Sequence, residues 1–395
     1  MRRAACTALI VMMVVALAAV CNAQPGWSAV CWGSNSYGKC EVPEPNEGFV
    51  LVAGGNSNSV GLKADSSVVC WGSNLFSQCE VPEPNGGFIG IAAGTNHILG
   101  VKADGSLVQW GYVEYGDVPD SGPYIGVAAG ETHSVGLTAD GTVVCWGWNA
   151  YGQCDVPEPN QGFTAVAAGW YFSMGLRADG SVVCWGDNEY GQWYVPEPNE
   201  GFIAVAAGTR HCLGLKADSS VVAWGSNFHH QCDVPEPNEA FAAVAGGRYH
   251  SVGLKVDSTI VCWGSNGYGQ CIVPVPNAGY LTIGAGDLHS LAIGIYEYND
   301  IDAGSAVPTI TALEPPCPSP FSTCTAIGFE LLQAGNARLE VYDLSGRLVE
   351  ALIDGPMEAG EHSVVLDGSG LSPGVYLIRL QSGSQMALSR GVLIR

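Results

Sequence analysis

Basic residues are scarce in this sequence: Lys and Arg total 15 against 37 Asp and Glu, a formal net charge of -22. A field of that sign repels a phosphate backbone, so nucleic-acid partners are disfavoured. Charge of either sign is thin, at 13% of the chain, and no run of like charges forms an acidic or basic tail. Helix-rich chains draw on Lys, Glu and Arg far more heavily than this. With those residues depleted and glycine reaching 54 residues, the composition favours short strands joined by tight turns. Long apolar runs are missing too, apart from the stretch Ala4 to Val20, and no second one follows it.

That stretch follows Arg2 and Arg3 and leads into Cys21-Asn22-Ala23-Gln24. A basic start, an apolar centre and a small residue at a cleavage point describe a signal peptide over residues 1–23. Val20 is too bulky for the position before a lipid-attachment cysteine, which argues against Cys21 as an anchor. The mature protein is expected to be exported, with no transmembrane anchor after cleavage.

What fills the chain is a repeat. Trp-Gly recurs at Trp32, Trp71, Trp110, Trp146, Trp185, Trp224 and Trp263, with a spacing of 39 residues in every interval but one, which is 36. A second signature, V-A-A-G-x-x-H in form, begins at Val52, Ile91, Val127, Val166, Val205, Val244 and Ile283. One unit reads as four strands: FTAVAAG, FSMGLR after a turn, SVVCWG after the hairpin Ala178-Asp179-Gly180, then a short strand near WYVPE. Four antiparallel strands in about forty residues make one propeller blade. The first unit lacks its opening strands and enters at residues 27–33, while residues 280–295 supply only those missing strands. A ring avoids unpaired edges, so residues 281–295 are expected to pair with 27–33 and complete a seventh blade. The fold class is all-β: a seven-bladed propeller over 24–297 with a blade shared between its ends, a linker over 298–318, and a small β-sandwich over 319–395.

Units such as VAAGETHSVGLTADGTVVCWGWNAYGQC resemble the regulator of chromosome condensation repeat over about residues 27–296. The resemblance implies the seven-bladed ring. It carries no single function, because relatives range from exchange factors to inhibitors. Downstream, LEVYDLSGRLV, then AGEH, then LSPGVYLIRL resemble the C-terminal sorting domain of type IX secretion cargo, and PCPSPFSTCTAIGFEL resembles a variant of its opening segment. That resemblance implies the secretion machinery as a partner and a secreted or surface location in a Gram-negative bacterium.

Fifteen cysteines in an exported chain point to disulfides. Four units carry one cysteine before Trp-Gly and another nine positions later, so Cys31/Cys40, Cys70/Cys79, Cys145/Cys154 and Cys262/Cys271 are expected to pair, with Cys317/Cys324 as a fifth bridge. Cys184 faces Trp193 where a partner should stand, and Cys232 faces Ala223; Cys212–Cys232 is the expected leftover pair, with Cys184 a free thiol. The spacing is not that of zinc sites, and no metal or cofactor is expected.

Five histidines share one repeat position, His97, His133, His211, His250 and His289, but Asn58 and Phe172 break the set. They read as hydrogen-bonding turn residues, not metal ligands. The hairpin aspartates, Asp65, Asp104, Asp140, Asp179, Asp218 and Asp257, suit left-handed turns. Carboxylates of the V-P-E-P-N turns are held apart by the ring's symmetry, which argues against an enzyme. The Trp of Trp-Gly reads as core. Strand parity then puts the A–B turns and the C–D loops on one variable face, and the hairpins with the V-P-E-P-N turns on the other, uniform face. The variable face carries Trp148, Trp170, Tyr171, Tyr190, Arg210, Phe228, Arg248 and Tyr249, residue types that dominate interface energies. The expectation is a binding protein that docks a protein or glycan there. A polysaccharide-acting enzyme with a site at the channel and a structural surface protein without a dedicated ligand remain open alternatives.

Overall fold

The computed structural model describes residues 27–112, 116–295, 310–313, 323–331, 334–343, 348–371, 374–382 and 385–393. The expected signal peptide lies outside the described residues. Seven sheets follow one another round a ring, each of three antiparallel strands. In blade 4 these are an inner strand Phe163–Ala168, a middle strand Phe172–Arg177 and an outer strand Val182–Gly186. Blades 1, 2, 3, 5 and 6 repeat the pattern over 49–72, 88–111, 124–147, 202–225 and 241–264. In blade 7 the inner and middle strands are Tyr280–Ala285 and His289–Ile295, and the outer strand is Trp27–Gly33. The register runs from Trp27 opposite Ile295 to Gly33 opposite His289. The ring is therefore closed by its two ends, with 289–295 as the segment that meets 27–33. The inner strands touch neighbour to neighbour around the axis, 49–54 against 280–285 included.

Among the described residues the fourth strand expected in each unit does not form. Segments such as Val195-Pro196-Glu197-Pro198-Asn199 cannot feed a ladder, because proline has no N–H to donate. One side chain takes the strand's place. Val182 N donates to Asn199 Oδ1 at 2.8 Å, and Asn199 Nδ2 donates back to Val182 O at 2.9 Å. This carboxamide presents the donor and acceptor that a neighbouring peptide would, and it occupies the outer edge. Asn46, Asn85, Asn160, Asn238 and Asn277 clip Ala29, Val68, Val143, Val221 and Ile260 in the same way. The turn glutamates serve the clip: Asn199 N donates to Glu197 Oε2 at 3.1 Å, and Asn46 N to Glu44 Oε2 at 3.0 Å.

Adjacent blades are joined by a second repeated device. The seven Trp side chains of Trp-Gly are only 3–7% exposed, as expected of core. Trp263 Nε1 donates to the carbonyl of Gln231, in the loop that leaves blade 5, at 2.9 Å. Ser251 Oγ donates to that same carbonyl at 2.8 Å, and His211 Nε2 lies 2.9 Å from Ser251 Oγ. Since the serine hydrogen goes to the carbonyl, His211 must donate from Nε2, which makes it the neutral Nε2–H tautomer. His133–Ser173, His250–Ser290, His289–Ser59 and His97–Ser134 repeat the contact at 2.9–3.0 Å. The histidines thus bind the next blade, where sequence reasoning had them satisfying their own turns. The glycine of V-A-A-G is required by the same packing: a Cβ at Gly208 would lie 2.1 Å from His211 Cε1 and 2.5 Å from the Gly247 oxygen. At the hairpins the left-handed position falls on the residue after each aspartate, such as Gly180 (φ 81°) and Ser219 (φ 66°), not on the aspartate as the sequence suggested; the aspartate side chain instead holds the turn, Ser181 N donating to Asp179 Oδ1 at 2.9 Å.

The C-terminal unit has one sheet of Ile310–Leu313, Cys324–Leu331 and Gly360–Asp367. Its other sheet is ordered Leu348–Met357, Gly335–Asp343, Gly374–Ser382, Gln385–Leu393. Ile327, Phe329 and Leu366 of the first meet Leu339, Val341, Ile378 and Leu380 of the second in one core, as a sandwich requires. The expected linker over 298–318 therefore ends early, because Ile310–Leu313 pairs with Cys324–Leu331.

Two outcomes follow from the clip and the histidine latch. Asn199→Ala removes two hydrogen bonds and uncovers an edge, and should lower unfolding free energy by about 1–2 kcal/mol in urea titrations. An unchanged midpoint would show that water replaces the clip. Burial holds His97 and His250 at a pKa of about 4 and His133 and His211 at about 3. Their folded values sit below the unfolded value of about 6.5, so the unfolded chain takes up more protons as pH falls. Stability should be full above about pH 7 and decline below about 6.5, by up to about 1.4 kcal/mol per histidine per pH unit. Urea midpoints that stay level between pH 7 and 4.5 would contradict the latch.

Candidate functional site

The turn between the inner and middle strands of each blade is bonded to the loop leaving that blade's outer strand. Asp187 N donates to Tyr171 O at 2.7 Å, Ser226 N to Arg210 O at 2.9 Å, Ser265 N to Tyr249 O at 2.8 Å, and Trp148 N to Thr132 O at 2.9 Å. Both loop families therefore share one face, as parity requires. The loop tips are rigid: Tyr190 N donates to Oε1 of Gln192, a fully buried side chain, at 2.9 Å, and Trp193 N to Asn188 Oδ1 at 2.9 Å.

All eight side chains expected on this face meet in one chain of contacts. Trp170 lies between two guanidinium groups, that of Arg248 at 4.8 Å and that of Arg210 at 5.4 Å from its ring. Arg210 also covers Tyr190 at 4.7 Å and donates to its hydroxyl at 2.8 Å, and Tyr190 meets Phe228 edge-on at 6.0 Å. Arg248 covers Tyr249 at 5.0 Å, and Tyr249 packs on His229 at 4.4 Å. On the other flank Trp170 touches Tyr171 at 6.0 Å, and Tyr171 touches Trp148 at 5.4 Å. The network runs over blades 3 to 6. Trp148 and Phe228 stay exposed at its ends, 42% and 79% respectively.

Three further residues join it. Tyr151 stacks on Tyr171 at 4.9 Å with an interplanar angle of 22°, and is 51% exposed. The Glu131 carboxylate beside the Tyr171 hydroxyl, together with burial, pushes that hydroxyl's pKa up to about 12. Asp287 takes Arg248 Nη1 at 3.2 Å, and burial raises its carboxyl pKa against the pull of that arginine. Glu131 and Asp287 stand at the turn positions of blades 3 and 7. They had no sequence signal beyond standing in the same repeat position as Trp170 and Arg248. Behind these turns runs a channel of about 470 Å³, walled by Ala, Gly, Val and Ile of the inner strands. The turn residues Asn56, Thr95, Glu131, Trp170, Thr209, Arg248 and Asp287, one per blade, also line it. Among the described residues no group of three His, Cys, Asp or Glu is placed to hold a metal ion.

The cysteines expected to bridge are thiols in this structure. Their thiols donate to loop carbonyls, Cys31 to Lys39 O and Cys40 to Ser34 O, Cys154 to Trp148 O, Cys262 to Gln270 O and Cys271 to Ser265 O. Burial pushes the Cys31 thiol up, while the neighbouring Cys31 draws Cys40 down. Cys70 and Cys79 also influence each other, and Cys324 is exposed. Cys317 lies outside the described residues. Cys212 packs in one cluster with Cys184, not with Cys232 as the leftover pairing had it, because the middle strand of blade 5 packs on the outer strand of blade 4.

Comparison with known families matches the regulator of chromosome condensation repeat at 124–153, 163–192, 202–231 and 241–270, and the secretion system C-terminal sorting domain at 317–395. The chain carries chromosome-condensation-type repeats and a secretion sorting tail. Among solved structures, Prp20p of Saccharomyces cerevisiae is 17% identical, covering 73% of this chain and 96% of its own, with a TM-score of 0.59. Human WBSCR16 is 18% identical, covering 69% of this chain and 99% of its own, with a TM-score of 0.54. The ectodomain of the receptor kinase CR4 from Physcomitrella patens is 26% identical, covering 66% of this chain and 75% of its own, with a TM-score of 0.52. No curated protein sequence matches the chain. The repeats make the ring, and the sorting tail marks an exported protein, secreted or held at the cell surface. Among the described residues no helix is long and apolar enough to cross a membrane.

Arg248→Met should leave the Asp287 carboxylate, whose side chain is 7% exposed, without its partner. The expected loss is about 1–3 kcal/mol in chemical denaturation, with part of it recovered by Asp287→Asn in the same chain. Strictly additive effects would mean the pair contributes nothing.

Proposed function

We propose that this chain is an exported interaction module, and that the aromatic and arginine face over blades 3 to 6 docks a protein or glycan partner outside the cell. One observation carries the reading: eight variable side chains from four successive blades form a single contact network with exposed ends, on rigid turns. Aromatic and Arg side chains with few remaining degrees of freedom lose little entropy on docking and supply much of an interface's energy. The opposite face presents near-identical Asp and Glu turns from blade to blade and offers little to discriminate with.

The carboxylates point away from hydrolysis. Among the described residues lining the channel, Glu131 and Asp287 are its carboxylates, set on different blades and engaged by Tyr171 and Arg248. The sorting tail fits delivery by the secretion machinery, and residues 1–23 fit a leader removed on export from a Gram-negative cell.

The test is affinity capture with the immobilised protein from culture supernatant, followed by titration of the captured partner. Trp170→Ala with Tyr249→Ala should weaken binding at least about tenfold, since a hot-spot aromatic contributes about 2 kcal/mol or more. Glu158→Ala and Glu236→Ala, on the uniform face, should leave it unchanged. Equal affinity of all forms would overturn the assignment of the face.

A further inference from the structure

Two departures from the repeat meet at one junction. Where other blades carry a second cysteine after Trp-Gly, blade 4 is followed by Trp193, so Cys184 has no partner in its own blade. Where five other blades carry the serine that reaches back to the preceding loop, blade 5 carries Cys212. The equivalent positions are adjacent elsewhere in the ring: Cys262 of blade 6 lies 4.0 Å from Ser290 Oγ of blade 7. Exchanging that serine for cysteine puts a sulfur against a sulfur. Cys212 keeps the serine's direction, with its Sγ 3.8 Å from the Gln192 oxygen, and it packs with Cys184 in one cluster.

The latch changes at the same place. Phe172 stands where five other blades have histidine, and so the junction from blade 4 to blade 5 has lost both halves of the histidine–serine contact. Cys232 is placed otherwise. Its Sγ donates to Ser226 O of its own loop at 3.3 Å, as Cys40, Cys79 and Cys271 do to Ser34, Ser73 and Ser265. Its own-blade counterpart position is Ala223.

We propose that Cys184 and Cys212 form a disulfide that joins blade 4 to blade 5 and replaces the latch missing there. The two thiols lose two protons and two electrons as the S–S bond forms, and a disulfide oxidant takes up both electrons and is reduced to two thiols. In the exporting compartment that oxidant is a thiol–disulfide oxidoreductase; in a refolding buffer it is oxidised glutathione. Cys212 is fully buried, so the bond forms while the blades are still assembling.

The full-length chain, reduced and unfolded, is refolded in a glutathione redox buffer, denatured with N-ethylmaleimide, and digested without reductant for mass spectrometry. The expected product is one cross-linked pair of peptides containing Cys184 and Cys212, with Cys232 alkylated. Alkylated Cys212, or Cys212 joined to Cys232, overturns the proposal. Cys184→Ser should expose Cys212 to alkylation and lower the melting temperature by about 5 °C under oxidising conditions, a difference that reductant removes. Cys232→Ser should change neither. Should the Cys184 variant fail to fold, the wild-type peptide map decides alone.

Discussion

Six of the seven junctions of the ring turn on a single backbone acceptor in the loop leaving the preceding blade; between blades 2 and 3 the Trp146 indole donates instead to the Gln109 side chain. In three of the seven, one backbone carbonyl takes two donors from the next blade, an indole N–H and a serine hydroxyl, and the serine in turn takes a histidine from the blade before. This arrangement uses both lone pairs of the oxygen, fixes the imidazole tautomer and leaves no space for a Cβ on the adjoining glycine. Side-chain identity at four repeat positions is therefore constrained jointly, which is why the pattern survives in blade after blade. Where one member changes, its partner changes with it: Asn58 stands opposite Ile98, and Phe172 opposite Cys212.

A ring locked this way relies on the backbone of the loops on one face more than on their side chains. Their backbones are bonded turn to loop, so most side chains at the tips lie outside the latch, the Arg248–Asp287 pair being an exception. The variable residues accordingly gather over four successive blades, where arginines flanking Trp170 hold the aromatic rings in fixed orientations. Acidic groups enter as supports: Asp287 steadies Arg248, and Glu131 steadies Tyr171. On a protein this negative, two clustered arginines among six aromatics form a local exception to the overall field.

The blade count, the shared blade and the sorting of loops onto two faces were legible in the sequence, because each follows from strand parity and from motifs that recur at one period. So was the membership of the aromatic face. The fourth strand was misread at segments such as Trp193 to Glu197, where alternating bulky residues mimic a strand. Periodicity has no way to register that an asparagine side chain does the pairing. The histidines were read as structural for the wrong partner, since a contact between neighbouring blades spans about 40 positions. Cys184 and Cys212 stood out as anomalies one at a time, but only packing between blades brings them together. Glu131 and Asp287 differ from their counterparts in no way that announces a support role.

Closure by the two ends has a consequence for how the molecule is made. Trp27–Gly33 is the first strand to be synthesised, and its hydrogen-bonding partner His289–Ile295 is the last of the ring. Until that partner emerges, the opening segment has nowhere to dock and the sheet at the seam has an open flank. Contacts between such distant stretches form late and slowly. A chain leaving the ribosome thus stays an open arc until residue 295 of its 395 has emerged, and its seam is exposed for that whole interval.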